Sequence, residues 1–293
     1  MVFSVAPALR AALRPYTTAD AEAVLDLVNA DRLPGQPTTT PEMLTEALAG
    51  RSPIDAGWWA ELTPPTTHVA LDPRGRVVGV ISWAQRPKDD TGLILWLHCR
   101  EDTATADALI SHALTALGPR PVEAFHFATA LTRGVEALPV DHRPVTHAAL
   151  CRAGFAGEFL WLYFLIDLPA PNLPQADGMR MRPEPGDDRA MRLEVREQGR
   201  VVAESVVGLP VEGVGALWWI GVLPDVRGQG IGRKLLGSAL ETLRAHQAAS
   251  VFLYVEANAT PGGEGDRTAA TALYRSAGFR EIDRLHSYSA PTH

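Results

Sequence analysis

Residues 146–155 (THAALCRAGF) and 270–279 (ATALYRSAGF) share a ten-residue pattern ending in Ala-Gly-Phe. A second pair lies upstream at the matching place: Gly92-Leu93-Ile94-Leu95-Trp96 and Gly215-Ala216-Leu217-Trp218-Trp219. In each half this apolar strand precedes a long helical stretch. Two matches in the same order mark a duplicated unit, so the chain folds as two copies of one domain. The stretch 169–178 (PAPNLPQADG) reads as the linker, since its prolines deny ladder hydrogen bonds and favour an extended path. The expected organisation is therefore 1–168, a linker over 169–178, and 179–293.

Within the first half the pattern predicts helices over Ala19 to Ala30 and Pro41 to Ala49, with Thr40 capping the second. Strands follow at His68 to Leu71 and Arg76 to Trp83 around the turn Asp72-Pro73-Arg74-Gly75, then at Leu93 to His98. A helix over Thr105 to Leu117, a strand over Val122 to Ala128, a helix over Val145 to Arg152 and a strand over Glu158 to Ile166 complete it. The second half runs from a short strand at Met179 to Met181 through a hairpin, Arg192 to Arg196 and Arg200 to Val207, turning at Gln198-Gly199. A strand at Ala216 to Val222, a helix at Ile231 to His246, a strand at Val251 to Ala257, a helix at Ala269 to Ser276 and a strand at Ile282 to Tyr288 follow. Between Pro183 and Ala190 there is no room for the two helices that open the first half. The fold class is mixed α/β, each half a twisted, mainly antiparallel sheet with helices on its faces.

Composition narrows the partners. Hydrophobic residues make up 46% of the chain, enough for a real core. The formal net charge of −7 repels phosphate backbones, so nucleic acid is not expected and a cationic small molecule is the better partner. Cys99 and Cys151, the two cysteines, suit a reducing, cytoplasmic setting. Residues 1–13 carry Pro7 and Arg10 and do not read as a signal peptide, and no apolar run approaches the ~18 residues of a membrane span. His142 and His147 with Asp141 lack metal-ligand spacing, so no metal is expected.

The densest chemical signal is the run from Leu223 to Leu236, LPDVRGQGIGRKLL, which leaves an apolar strand and opens a helix. Its glycines let the backbone turn tightly, and free N–H groups at a helix N-terminus favour an anion. Arg227, Arg233 and Lys234 add positive charge, so a pyrophosphate fits the cradle. The spacing is wrong for a dinucleotide-binding Gly-x-Gly-x-x-Gly turn, and Arg233-Lys234-Leu235 lacks the hydroxyl of a P-loop.

The order Arg227-x-x-Gly230-x-Gly232 after a strand and a proline resembles the GNAT acyltransferase superfamily. So does Val255-Glu256-Ala257-Asn258 followed by Ala270-x-x-x-Tyr274-x-x-x-Gly278-Phe279, although an insertion from Thr260 to Arg267 separates them. The resemblance implies an acetyl-coenzyme A loop built from Arg227, Gly228, Gln229, Gly230, Ile231, Gly232, Arg233 and Lys234, with Asn258 nearby. It also implies that the strand through Gly221 and Val222 bulges and parts from its neighbour, with pantetheine filling the gap. Tyr274 is then the acid that protonates the leaving thiolate.

In the first half the corresponding loop, Cys99-Arg100-Glu101-Asp102-Thr103-Ala104-Thr105, has no glycine and two carboxylates, and Leu150 replaces Tyr274. That half is expected to be a degenerate copy, an arrangement that resembles the mycothiol synthases.

For the base, Glu256 and His286 are the candidates, with Glu204 and Glu212 weaker. Trp218 and Trp219, being adjacent, are expected on opposite faces of their strand. The missing helices would leave an apolar cleft open in the second half. The first half is expected to cover it in a pseudo-dimer through Phe159 to Ile166, giving a monomer in solution. The expected activity is transfer of an acetyl group to a primary amine of a small molecule; an antibiotic- or amino-sugar-modifying enzyme, or a coenzyme A sensor without turnover, are the alternatives.

Overall fold

The parallel strand pairs of this protein end after three residues, and they do so within one residue of the same place in both copies. In the computed structural model, which describes residues 12–52, 54–171, 173–257 and 267–292, the chain forms two compact units. Unit 1 comprises Met1–Leu33, Thr38–Leu160 and Arg284–His293; unit 2 comprises Pro34–Pro37 and Trp161–Asp283.

Unit 1 contains β1 (Ala12–Pro15), α1 (Ala21–Ala30), α2 (Pro41–Leu48), the one-turn α3 (Ala56–Trp59), β2 (Thr66–Leu71), β3 (Val77–Arg86) and β4 (Thr91–His98). It continues with α4 (Thr103–Leu117), β5 (Val122–Ala124), β6 (Leu138–Pro139), α5 (Pro144–Arg152) and the start of β7 (Ala156–Asp167). Unit 2 takes the rest of β7, then β8 (Arg180–Glu184), β9 (Asp187–Glu197), β10 (Arg200–Val211), β11 (Val214–Val222), α6 (Ile231–Ala245), β12 (Ser250–Glu256), α7 (Thr268–Ser276) and the start of β13 (Arg280–Ala290). The helices and most strands fall where the sequence places them; β1, β6 and α3 are additional, and β9 starts five residues earlier than read.

The strand order is β1-β2-β3-β4-β5-β13 in unit 1 and β8-β9-β10-β11-β12-β7 in unit 2. Each unit is thus completed by the last strand of the other half of the sequence. β12 pairs with β7 from Ser250↔Asp167 to Glu256↔Trp161, and β5 pairs with β13 from Ala124↔Tyr288 to Val122↔Ala290. The compact units therefore do not follow the division at 169–178. Pro34–Pro37 also joins unit 2, where the buried Tyr163 hydroxyl donates to the Pro34 carbonyl (3.1 Å) and accepts from Gln36 Nε2 (3.2 Å).

The proline-rich stretch is packed rather than free. Leu173 and Ala176 lie against the unit 2 core, and Ala176 N–H donates to Ser238 Oγ on α6 (2.9 Å). Gly237 lets it approach: even a methyl group there would run into the Pro174 carbonyl oxygen.

β4 pairs in parallel with β5 only from Gly92↔Val122 to Ile94↔Ala124, and β11 with β12 only from Val214↔Ser250 to Ala216↔Phe252. The cause is a bulge on the other edge of each strand. Opposite β3 the register jumps from Ile94 to Trp96, and opposite β10 from Leu217 to Trp219. The extra residues, Leu95 and Trp218, hold corresponding places in the repeat. A bulge bends its strand and increases the twist, which carries β4 and β11 away from their parallel partners.

The bulge also corrects the expectation that Trp218 and Trp219 face opposite ways. Leu217, Ile220 and Val222 pack into the core beneath α6 and α7. Trp218 turns to the other face, against Phe252 (ring centroids 5.5 Å), and Trp219 shares that face with Gly221. Leu95 and Trp96 do the same in unit 1, both packing under α1 and α2 with Val24, Leu27 and Leu44.

In unit 2 this second face has no opening helices, but it is not the bare apolar cleft expected from the sequence. Arg192 bridges Glu184 and Glu204 (2.7 Å to each), and Glu194 bridges Arg182 (3.1 Å) and Arg196 (3.2 Å). The paired Glu194 and Glu204 take the places of Val69 and Val80, which are wholly buried in unit 1. Charge replaces apolar surface where helices are lacking, so water is an adequate cover.

Two outcomes follow from this packing. Gly237→Ala, normally stabilising in a helix, should cost about 1–3 kcal/mol in a urea melt because it displaces residues 173–176. A fragment beginning at Pro169 loses the seven-residue partner of β12 and should aggregate on size-exclusion chromatography, whereas a soluble, monodisperse fragment would contradict the pairing.

Candidate active site

The loop between β11 and α6 begins with a short 3₁₀ turn at Pro224–Val226. Arg227 follows, its Nε donating to the Val222 carbonyl (3.0 Å). Gly228 and Gly230 both adopt φ +79°, and Gly230 is the N-cap of α6 with no side chain to accept from the first turn. The first intrahelical bond runs from Lys234 N–H to the Gly230 carbonyl (3.1 Å). The amides of Ile231, Gly232 and Arg233 therefore have no helical acceptor and open at the helix end. Gln229 and Lys234 are exposed, Ile231 is in the core, and Arg233 reaches Ser276 Oγ (3.0 Å). Gly232 packs close to Val222 and Leu273. This end of α6 presents N–H groups, a helix dipole and cationic side chains together, which suits a pyrophosphate.

The same position in unit 1 is filled by the chain itself. Asp102 is the N-cap of α4 and accepts from Thr105 N–H (2.9 Å) and its hydroxyl (2.7 Å). Glu101 accepts from the first-turn amides of α5, Val145 (2.6 Å) and Thr146 (2.9 Å), and from Arg143 Nε (3.2 Å). Arg143 is buried and lies 3.4 Å from Asp31, which approaches His98 (3.3 Å). Burial pushes the His98 pKa down despite the Asp31 carboxylate, and burial of Cys99 pushes its thiol up to about 11. An incoming phosphate would meet carboxylates already bonded to both helix ends.

Beside the loop, the parting of β11 from β12 leaves an edge. Leu223 N–H bonds Val202 on β10 (3.0 Å), so by strand alternation the N–H groups of Ile220 and Val222 face the gap. Gly221 faces β10, opposite Glu204. The gap donors are thus Ile220 and Val222. The sequence places the bulge near Gly221; the structure places it at Trp218.

Tyr274 lies on the α6–α7 side of this gap. It is 7% exposed, between Phe279 (5.7 Å) and Phe164 (6.4 Å). Among the described residues its hydroxyl has no hydrogen-bond partner. Burial pushes its pKa up to about 12, against a smaller lowering by Arg267, so the phenol stays protonated.

Glu256 ends β12 on the opposite side of the sheet, exposed and 3.4 Å from the Arg267 guanidinium. Tyr254 shares that side and meets Trp161 edge-on (5.2 Å). His286 is not in this unit: it pairs with Leu138 in unit 1, stacks on Phe159 (5.4 Å), and its buried Nδ1 has no partner among the described residues. Asn258 lies outside the described residues.

The acetyltransferase (GNAT) domain family matches residues 193–281. Those residues carry β10, the bulged β11, the loop, α6, β12 and α7. Residues 193–281 are a GNAT acetyltransferase domain.

Its relatives agree. The mycothiol acetyltransferase of Beutenbergia cavernae is 33% identical over 93 residues, which is 32% of this chain and 29% of that protein. The [ribosomal protein bS18]-alanine N-acetyltransferase of Escherichia coli K12 is 29% identical over 105 residues, 36% of this chain and 65% of that protein. The matches thus span under a third of the mycothiol enzyme. The fold extends further. A tandem GNAT protein from the clavulanic acid biosynthesis pathway superposes with a TM-score of 0.63 at 17% identity, covering 96% of this chain and 98% of that one. A GCN5-related N-acetyltransferase from Sphaerobacter thermophilus gives 0.60 at 16% identity, with 97% and 96% covered. The chain thus has the mixed α/β fold of tandem GNAT proteins.

Gly230→Asp would put a carboxylate at the open end of α6, at a left-handed position (φ +79°) that Asp adopts only with some strain. Calorimetry should then show no coenzyme A binding in a protein that still melts cooperatively, because the new charge repels the pyrophosphate.

Proposed function

We propose that unit 2 is an N-acetyltransferase that moves the acetyl group of acetyl-coenzyme A to a primary amine of a small molecule. The observation that carries this reading is the pairing of an uncapped, glycine-led helix end with a strand gap on the same unit. Acetyl-coenzyme A supplies the acyl group as a thioester. The chain's own groups do the rest. The loop from Arg227 to Lys234 holds pyrophosphate, and the β11 edge offers sheet-like pairing to pantetheine. Ile220 and Val222 N–H groups are placed to donate to the thioester carbonyl oxygen, favouring the negative charge that develops there.

The amine approaches from the face of Glu256 and attacks the carbonyl carbon as the free base. Glu256 takes its proton through water. The sulfur leaves on the other face, where Tyr274 Oη holds the proton that the thiolate needs. Burial keeps that phenol protonated at neutral pH, so the proton is in place when negative charge builds on the sulfur. Unit 1, with its helix ends occupied and Leu150 in place of Tyr274, carries no second reaction centre. The chain acts as a monomer in the cytoplasm and uses no metal.

Two measurements test this. Tyr274→Phe should lower kcat by about 10²-fold, the scale of general acid catalysis, with unchanged affinity for the donor. Equal rates would assign the proton to water. In the wild type, kcat/KM for the amine should rise through the amine's own pKa and show no alkaline fall below about pH 10, because the phenol titrates later. Above that pH the unfolded chain's phenols ionise while Tyr274 keeps its proton, so the fold itself loses stability.

A further inference from the structure

Unit 2 leaves bare, beside its gap, an indole and a carboxylate whose counterparts in unit 1 are covered. Trp219 is 52% exposed, whereas Trp96, which follows the matching bulge, is 2% exposed beneath α1 and α2. Glu204, the register partner of Gly221, has its side chain 37% exposed, whereas Val80, the register partner of His98, is fully buried. The indole lies across Gly221, where a Cβ would come within 3.2 Å of its Nε1. Trp219 and Gly221, on the same strand as the gap-facing amides of Ile220 and Val222, therefore form one patch with Glu204 on the neighbouring β10.

The patch has an acceptor to offer. Glu204 Oε2 accepts from Arg192 (2.7 Å), which also binds Glu184 through two contacts. With Glu194, Arg182 and Arg196 the network is balanced in charge, but among the described residues Glu204 Oε1 accepts from no donor, so one carboxylate oxygen is left for an ammonium. A carboxylate alone would satisfy an ammonium on a flexible chain. A bare indole adds something a chain cannot use: a flat face that rewards a ring stacked on it, and whose π cloud attracts positive charge.

Resting on the acetyltransferase reading above, we propose that the acceptor is an ammonium borne on or beside a ring. The ring lies on Trp219 and the ammonium faces Glu204. An amino sugar and an arylalkylamine share this chemistry. Trp219 selects the ring and Glu204 the charge, and both hold the nitrogen over the backbone at Gly221.

Saturation-transfer NMR on the full chain loaded with coenzyme A tests this, with glucosamine, 2-phenylethylamine, cadaverine and glucose as probes. Glucosamine and phenylethylamine separate the saccharide from the aryl source. Ring protons of at least one should receive saturation, and cadaverine should receive little. Trp219→Ala should weaken that ring amine about tenfold, the scale of an aromatic contact, and Trp219→Phe should restore most of it. Glu204→Gln should reduce the preference for glucosamine over glucose about threefold, as expected for a half-exposed charge. Calorimetry with coenzyme A on each variant shows that the donor site is intact. Cadaverine binding as well as the ring amines, or a Trp219→Ala protein that binds the ring amine as the wild type does, would overturn the proposal and leave the acetyltransferase reading standing. Failure of the wild type to bind coenzyme A would remove that reading and this one together.

Discussion

The early end of the β11–β12 pairing is the constraint from which the rest of unit 2 follows. Three parallel register pairs hold the two strands at one end, and the bulge at Trp218 turns β11 away beyond them. Unpaired amides in a strand are costly unless something bonds them. Here they remain beside a helix end whose own amides are also open. One backbone irregularity thus sets two rows of donors next to each other and separates a buried phenol on one face from exposed carboxylates on the other.

Unit 1 keeps the same bulge and the same parting of strands, yet it closes the site. The physics is identical and only the source of negative charge differs. Asp102 and Glu101 satisfy the ends of α4 and α5 from within, and Arg143, buried with Asp31 and His98, neutralises the excess. A helix N-terminus that must bond an anion can take one from solution or from its own chain. A few residues of loop sequence decide which.

Much of this was legible in the sequence. The Ala-Gly-Phe endings and the paired Gly-led strands revealed the repeat, and the glycines before Ile231 announced the open helix end, because each of these needs a specific residue at a specific place. The bulge was not legible. Nothing in Leu217-Trp218-Trp219-Ile220 distinguishes a regular strand from a bulged one, so the two tryptophans were assigned to opposite faces. Nor was the charged second face of unit 2 read correctly. Glu194 and Glu204 were visible, but only their register opposite one another shows them replacing Val69 and Val80. The choice of His286 as a candidate base rests on its place on the last strand, and this assumes that β13 stays wholly with the second copy, whereas His286 pairs with Leu138 in unit 1.

Unit 1 takes residues 284–290 into its sheet, and they leave the ribosome after all its other strands. Until they emerge, the edge of β5 stands unpaired and its side chains Val122 and Ala124 lack a neighbour. An open, apolar edge on a nascent chain is a template for wrong partners. The seven residues of β7 that serve unit 2 are made early and must wait for β12 in turn. Unit 1 cannot finish folding as the chain grows, so its sheet closes late and over a long sequence distance, where folding is slow, after the strands of unit 2 have all emerged.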